Sequence, residues 1–196
     1  MNKNVFNSAQ FHACVVSADK LDTAQAEVVF VGRSNVGKSS LVNALCGRHM
    51  LAKISKTPGK TRTINVFSIC DGKWIVDLPG YGFAAVPIEE RNNWKHMIEY
   101  YLSSRPSLKA IFVLVDGYVG ATALDLQMLA WLKSVGIQYR IIVNKIDRMA
   151  QVKLAEQRKN LALDLKVMPE HILWVSAKKG IGIKDMHTSI SSFLAL

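Results

Sequence analysis

Read for its polar and apolar positions, the chain alternates short apolar runs with longer amphipathic ones from residue 28 onward. Val28–Val31 is a continuous apolar run of strand length, and Ser40–Leu45 follows it with helical spacing. From Arg48 to Arg62 the stretch is polar and without period, and Pro58-Gly59 marks it as a loop. A loop of that length inside a compact domain is usually functional or mobile. Thr63–Cys70 and Lys73–Leu78 alternate or run apolar on either side of Asp71-Gly72, a strong hairpin signal. The second of these runs into a glycine-rich turn, Asp77-Leu78-Pro79-Gly80-Tyr81-Gly82, and a helix is predicted to begin near Pro87. Ile111–Val115 reads as a central strand covered on both faces. Leu124–Val135 has helical spacing and stops at Gly136. Tyr139–Val143 is a further buried strand, 150–167 an amphipathic helix, Ile172–Val175 the last strand and 183–195 a terminal helix. Residues 1–27 show mixed polarity with no clear period.

Strands alternating with helices imply an α/β domain of three layers, with helices on both faces of a mostly parallel sheet. Six strands are expected, and the hairpin makes the sheet mixed. One domain is expected over 27–196, with residues 1–26 as an extension packed on or near its edge. In such a sheet, ligands bind beyond the carboxyl ends of the strands. Four loops there carry polar groups: 32–39, 77–80, 144–147 and 176–178.

Composition narrows the class. Hydrophobic residues are 49% and charged residues 20% of 196, an ordinary globular balance and not a disordered one. Cys14, Cys46 and Cys70 are odd in number and lack a C-x-x-C pair, so they read as reduced thiols of a cytoplasmic protein. The N-terminus does not have the form of a signal peptide, and no apolar run approaches the roughly 20 residues that span a bilayer. The net charge of +10 fits either a basic solvated surface or a polyanionic partner.

The chemistry begins at Gly32-Arg33-Ser34-Asn35-Val36-Gly37-Lys38-Ser39, a G-x-x-x-x-G-K-S run between the first strand and its helix. There, backbone N–H groups converge on one point and the helix dipole adds partial positive charge. Lys38 would reach the β- and γ-phosphates, and the Ser39 hydroxyl would ligate Mg²⁺. Asp77-Leu78-Pro79-Gly80 ends a strand; its carboxylate can hold Mg²⁺ through water while the Gly80 N–H contacts a γ-phosphate. Asn144-Lys145-Ile146-Asp147 selects the base. Guanine offers N1–H and the 2-amino group as adjacent donors, and one carboxylate accepts both. Adenine would leave Asp147 facing an acceptor. Asn144 would tie loops together, the Lys145 stem would cover the base, and the Ala177 N–H within Ser176-Ala177-Lys178 would reach guanine O6. An ATPase is the rival reading on base identity.

Taken with Lys56-Thr57-Pro58-Gly59-Lys60-Thr61 and Asp77–Ala84, these motifs resemble the EngB/YihA family of ribosome-biogenesis GTPases, within the TrmE-Era-EngA-EngB-septin branch, over nearly the whole chain. The resemblance implies a Ras-like fold, GTP and GDP binding with Mg²⁺, and a role in assembling the large (50S) ribosomal subunit, with a link to septum formation in cell division. It implies that Gly59, Lys60, Thr61, Arg62 and Thr63 form the first switch, with Thr61 as a second Mg²⁺ hydroxyl beside Ser39 and Asp77. Asn144 departs from the family, which more often has Thr there. Ras-type enzymes place Gln after the D-x-x-G glycine to orient water; Tyr81 stands there here, so slow hydrolysis is expected. In related GTPases an asparagine at the position of Asn35 ligates K⁺; the alternative is that Asn35 only stabilises its loop. Lys38, Asn35, Thr61 and Gly80 are the catalytic candidates. The expected protein is a monomer whose partner is the large ribosomal subunit. The rival is a GTP-dependent interaction protein of septation or tRNA modification that does not bind ribosomes.

Overall fold

A computed structural model of the chain describes residues 5–52, 63–82 and 88–196, without the side chains of 88–92 and 94. Its centre is β2 (Ala26–Gly32), buried at every position. Alternate side chains go to opposite faces of a strand, so Val29 and Val31 enter one core while Val28 and Phe30 enter the other. Apolar cover on both faces is why the sequence reads there as a run and not as an alternation. The same holds for β5 (Leu108–Asp116) and β6 (Tyr139–Asn144).

The remaining strands are β1 (Gln10–Val15), β3 (Ile64–Cys70), β4 (Lys73–Asp77) and β7 (Ile172–Trp174). Their order is β1-β3-β4-β2-β5-β6-β7. Pairing is antiparallel at β1/β3 and β3/β4 and parallel from β4 to β7. The Asp71-Gly72 hairpin joins β3 to β4 as expected. On one face lie α1 (Lys38–Leu45) and α5 (Ile183–Leu194), whose Leu41, Leu45, Met186 and Ile190 share a core with Phe30 and Phe112. The other face takes α2 (Ile88–Ser104), α3 (Ala123–Ser134) and α4 (Gln151–Leu165), through Tyr101, Leu132 and Leu161 among others. Helices on both faces of a mostly parallel sheet are the three-layer α/β architecture expected.

The sheet has seven strands and not six. The seventh is β1, from the stretch in which no period was legible. It is an edge strand whose pairing with β3 slips between Phe11 and Ala13, and most of its positions are exposed. A bulge shifts which face each side chain takes, so neither an alternation nor an apolar run is written there. Pro87, the expected helix start, lies outside the described residues; α2 begins at Ile88.

Candidate nucleotide site

Of the five parallel strands, β2, β4, β6 and β7 carry the candidate loops at C-termini on the same edge of the sheet, and these loops are bonded to one another. The chain leaves β2 at Gly32, turns through Asn35 with φ +64° and enters α1 at Gly37 with φ +104°. Gly37 meets two demands at once. Its φ is in the region L side chains avoid, and a Cβ would fall 2.4 Å from Asn144 Nδ2. The first N–H groups of α1 have no acceptor within the helix, so they face the loop as anion donors.

Lys38 is buried beneath this loop, with Nζ donating to Gly32 O at 3.3 Å. Ser39 Oγ donates to Asp77 Oδ2 at 2.8 Å. Burial pushes the Lys38 ammonium down from its ordinary value against the pull of Asp77. Burial likewise pushes the Asp77 carboxyl up, against Lys38 and the Ser39 hydrogen bond. Asp77 Oδ1 is buried with no hydrogen-bond partner. An orphaned carboxylate oxygen beside a serine hydroxyl is a hard-oxygen donor set, and it fits Mg²⁺.

Leu78 and Pro79 are buried, and Leu78 N donates to Phe30 O at 3.2 Å, extending the pairing of β4 with β2. Gly80 then lies on the phosphate loop. A Cβ there would fall 2.7 Å from Ser34 N and 3.0 Å from Lys38 Nζ. Ser34 Oγ donates to Gly80 O at 3.2 Å, and Arg33 forms a parallel bridge with Tyr81. Only glycine allows the D-x-x-G segment this close.

The third and fourth loops are stitched to the first by Asn144. Its Nδ2 donates to Val36 O at 3.0 Å, and its Oδ1 accepts from Ala177 N at 3.2 Å. Lys145, with φ +68°, sends Nζ to Asn35 O at 2.6 Å and to Asp116 Oδ2 at 2.7 Å. Ile146 is buried, and its N–H donates to Val175 O. Asp147 is half-buried and accepts from Ser176 Oγ, which also accepts from Lys179 N. Lys178 is exposed. Gly59, Lys60, Thr61 and Arg62 lie outside the described residues; Thr63 is described, half-buried just before β3.

Two contributions escaped the sequence reading. Asp116 pairs with Lys145 and accepts the N–H groups of Tyr118 and Val119. Its signal was a carboxylate ending a fully apolar strand. Asp125 accepts from Tyr81, Thr122 Oγ1 and Thr122 N; its signal was the capping box Thr122-x-x-Asp125 before an apolar-periodic run.

A glycine loop entering a helix over a buried lysine, a D-x-x-G turn docked on it and an N-K-x-D loop tied to both define a P-loop GTPase. Comparison with known proteins agrees. A family model described as "50S ribosome-binding GTPase" matches residues 27–145. A "probable GTP-binding protein EngB" of Thermotoga maritima is 44% identical over 174 residues, 87% of either chain. One from Aquifex aeolicus is 42% identical over 165 residues, 84% of this chain and 88% of that one. The chain belongs to the EngB family of GTP-binding proteins. A crystal structure of such a protein superposes with TM-score 0.72 at 27% identity, covering 87% of this chain and 99% of that one. Era in complex with MgGDPNP and nucleotides 1506–1542 of 16S ribosomal RNA matches with TM-score 0.67 at 24% identity, over 88% of this chain and 58% of Era, a likeness of fold.

Proposed function

We propose that this GTPase is a slow, Mg²⁺-dependent switch whose GTP state engages the large ribosomal subunit during its assembly. The observation that carries the reading is the seat of Gly80 against Ser34 and Lys38. The D-x-x-G backbone lies beside Lys38, which in this reading meets the β- and γ-phosphates, so that loss of the γ-phosphate would be felt there. In this reading Gly32 to Ser39 cradle the phosphates, Gly59 to Thr63 close over them, and Asn144 to Asp147 with Ser176 to Lys178 hold guanine. Ser39, Asp77 and Thr61 would hold Mg²⁺, which when bound neutralises charge developing on the phosphate oxygens.

Tyr81 supplies no carboxamide to orient water, and its hydroxyl is bonded to Asp125. Intrinsic hydrolysis is therefore slow, with transition-state help from elsewhere. Asn35 is exposed at the tip of the phosphate loop and is the residue we assign to K⁺; Asn35→Ala should then abolish K⁺ stimulation of hydrolysis. For the partner, support comes from the family description, in which 50S subunits are what is bound, and from a net charge of +10 suited to RNA. A cytoplasmic monomer and a link to septation belong to the same proposal. Among the described residues no helix is long and apolar enough to cross a membrane.

Sedimenting the protein with ribosomal subunits in the presence of a non-hydrolysable GTP analogue, GDP or no nucleotide tests the reading. Co-sedimentation with the large subunit is expected with the analogue and should weaken with GDP. Indifference to nucleotide, or absence from subunit fractions, would favour an interaction protein acting elsewhere.

A further inference from the structure

We infer that Tyr81 and Asp125 form a strut holding Gly80 in place over the phosphate loop, so that the first turn of α3 takes part in discriminating GTP from GDP. This rests on the reading of Gly80 as the γ-phosphate contact and adds two positioning residues to it.

Tyr81 is tied on three sides. Its N–H donates to Gly32 O at 3.2 Å and its carbonyl accepts from Ser34 N at 2.9 Å, which fastens the backbone to the phosphate loop. Its hydroxyl donates to Asp125 Oδ1 at 2.9 Å, which fastens the side chain to α3. The other oxygen, Asp125 Oδ2, accepts from Thr122 N at 2.9 Å and Thr122 Oγ1 at 2.7 Å. Asp125 is only 1% exposed, so water does not replace a bond lost there. Burial, then the Asp125 charge, hold the Tyr81 hydroxyl well above its ordinary value, so it remains a donor at working pH. The next residue seats on the same turn: Gly82 has φ +77°, and a Cβ there would fall 2.7 Å from Leu124 Cδ1.

Gly80 sits one residue before this anchor, packed so closely that a Cβ on it would fall 2.7 Å from Ser34 N and 3.0 Å from Lys38 Nζ. Its position is therefore set by where residue 81 is fixed. A ligand shifts an equilibrium only through contacts it makes differently in two states. The γ-phosphate contact exists for GTP and is absent for GDP. A group that places Gly80 thus contributes to GTP affinity and not to GDP affinity, whereas a group that only stabilises the fold contributes to both.

Tyr81→Phe removes the hydroxyl and keeps the ring; Asp125→Ala removes the carboxylate that accepts from it, whereas an asparagine amide could donate to the phenolic oxygen and preserve the link. Affinities for GDP and for a non-hydrolysable GTP analogue would be measured with Mg²⁺, by displacement of a fluorescent guanine nucleotide. Loss of one buried hydrogen bond should weaken analogue binding by about five- to tenfold in either variant, leaving GDP affinity within about twofold. The double variant should be no worse than the more severe single one, because both remove one interaction. Equal losses for both nucleotides overturn the strut and leave a purely structural bond. Gly80→Ala separates the two levels of inference. A ratio that drops there but not in Tyr81→Phe overturns the strut and keeps the Gly80 reading, while a ratio unmoved in both overturns both.

Discussion

Asp147 is half-buried and already accepts a hydrogen bond from Ser176, so its carboxylate is oriented by a neighbour before any base arrives. Xanthine carries a carbonyl where guanine carries the 2-amino group, and an asparagine amide can donate to it. Asp147→Asn should therefore invert the preference from GTP to XTP, with a swing of about a hundredfold or more. Competition between the two nucleotides reads this directly, and a variant still preferring GTP would refute the base assignment. At the phosphate end, Lys38→Ala or Ser39→Ala should weaken GTP and Mg²⁺ binding by roughly tenfold or more, the worth of a charge-assisted contact, with the melting profile retained. Undiminished GTP affinity in either would remove the premise of the site. Cys46, the buried residue that closes the C-terminal end of α1, has its thiol pushed up to about 12 by burial. A group raised on folding favours the fold below its unfolded value, about 9.0 for the thiol, and that contribution fades as pH climbs toward 12. At pH 8, alkylation should mark exposed Cys14 readily and reach Cys46 only on unfolding, as mass spectrometry of labelled peptides would report.

At the scale of elements, the start of β2, away from the nucleotide loops, is held by side-chain contacts. The clearest anchor is Arg105, just beyond α2. Its guanidinium meets the fully buried Glu27 of β2 through Nε and Nη2, both at 3.1 Å, and lies over the rings of Trp74 and Tyr101. Nη2 also donates to Asp22 O at 2.9 Å. Arg105→Ala would leave the buried Glu27 carboxyl without its cationic partner, and should cost about 3–5 kcal/mol of stability. Glu27→Gln with Arg105→Met removes both charges and should recover much of that loss. Denaturant unfolding of the two variants compares them, and a double variant as unstable as Arg105→Ala would show that the aromatic packing, not the ion pair, is the anchor. At the opposite end of the sheet, Asn144 carries two of the bonds that join three loops, so its deletion should loosen the nucleotide and leave the core intact.

On the scale of the whole molecule, the net charge of +10 bears on the proposed ribosomal partner. Lys53, Lys56, Lys60 and Arg62 belong to the polar 48–62 loop, outside the described residues, and under the proposed γ-phosphate contact through Thr61 they would be gathered on one surface. Binding to the subunit should then fall with salt, log affinity dropping by roughly 0.7 to 0.9 per neutralised phosphate for each unit of log salt. Lys53→Glu with Lys56→Glu should weaken subunit binding and flatten that slope while leaving GTP affinity nearly unchanged. An unchanged slope would move the contact to another basic surface, such as Lys178, Lys179 and Lys184.

Sequence by itself determined the alternation of strands and helices, because strands covered on both faces must be apolar throughout and helices must carry a stripe. It also determined the order of the nucleotide motifs, because G-x-x-x-x-G-K-S and N-K-x-D place their groups by local backbone geometry. The Gly37 conformation, the Lys38 position at the head of α1 and the Asp71-Gly72 hairpin all follow from neighbours in the chain. What tertiary structure alone decided are contacts between residues far apart. The edge strand β1 exists because β3 offers it a free ladder, while its own bulge hides any period. Asp116 became a partner of Lys145 only once β5 and β6 lay side by side. Tyr81, read from sequence only as a missing glutamine, meets Asp125 across 44 residues because β4 ends and α3 begins at the same edge of the sheet. Periodicity reports which face a residue takes, but not which distant residue shares that face, and the second is fixed by packing.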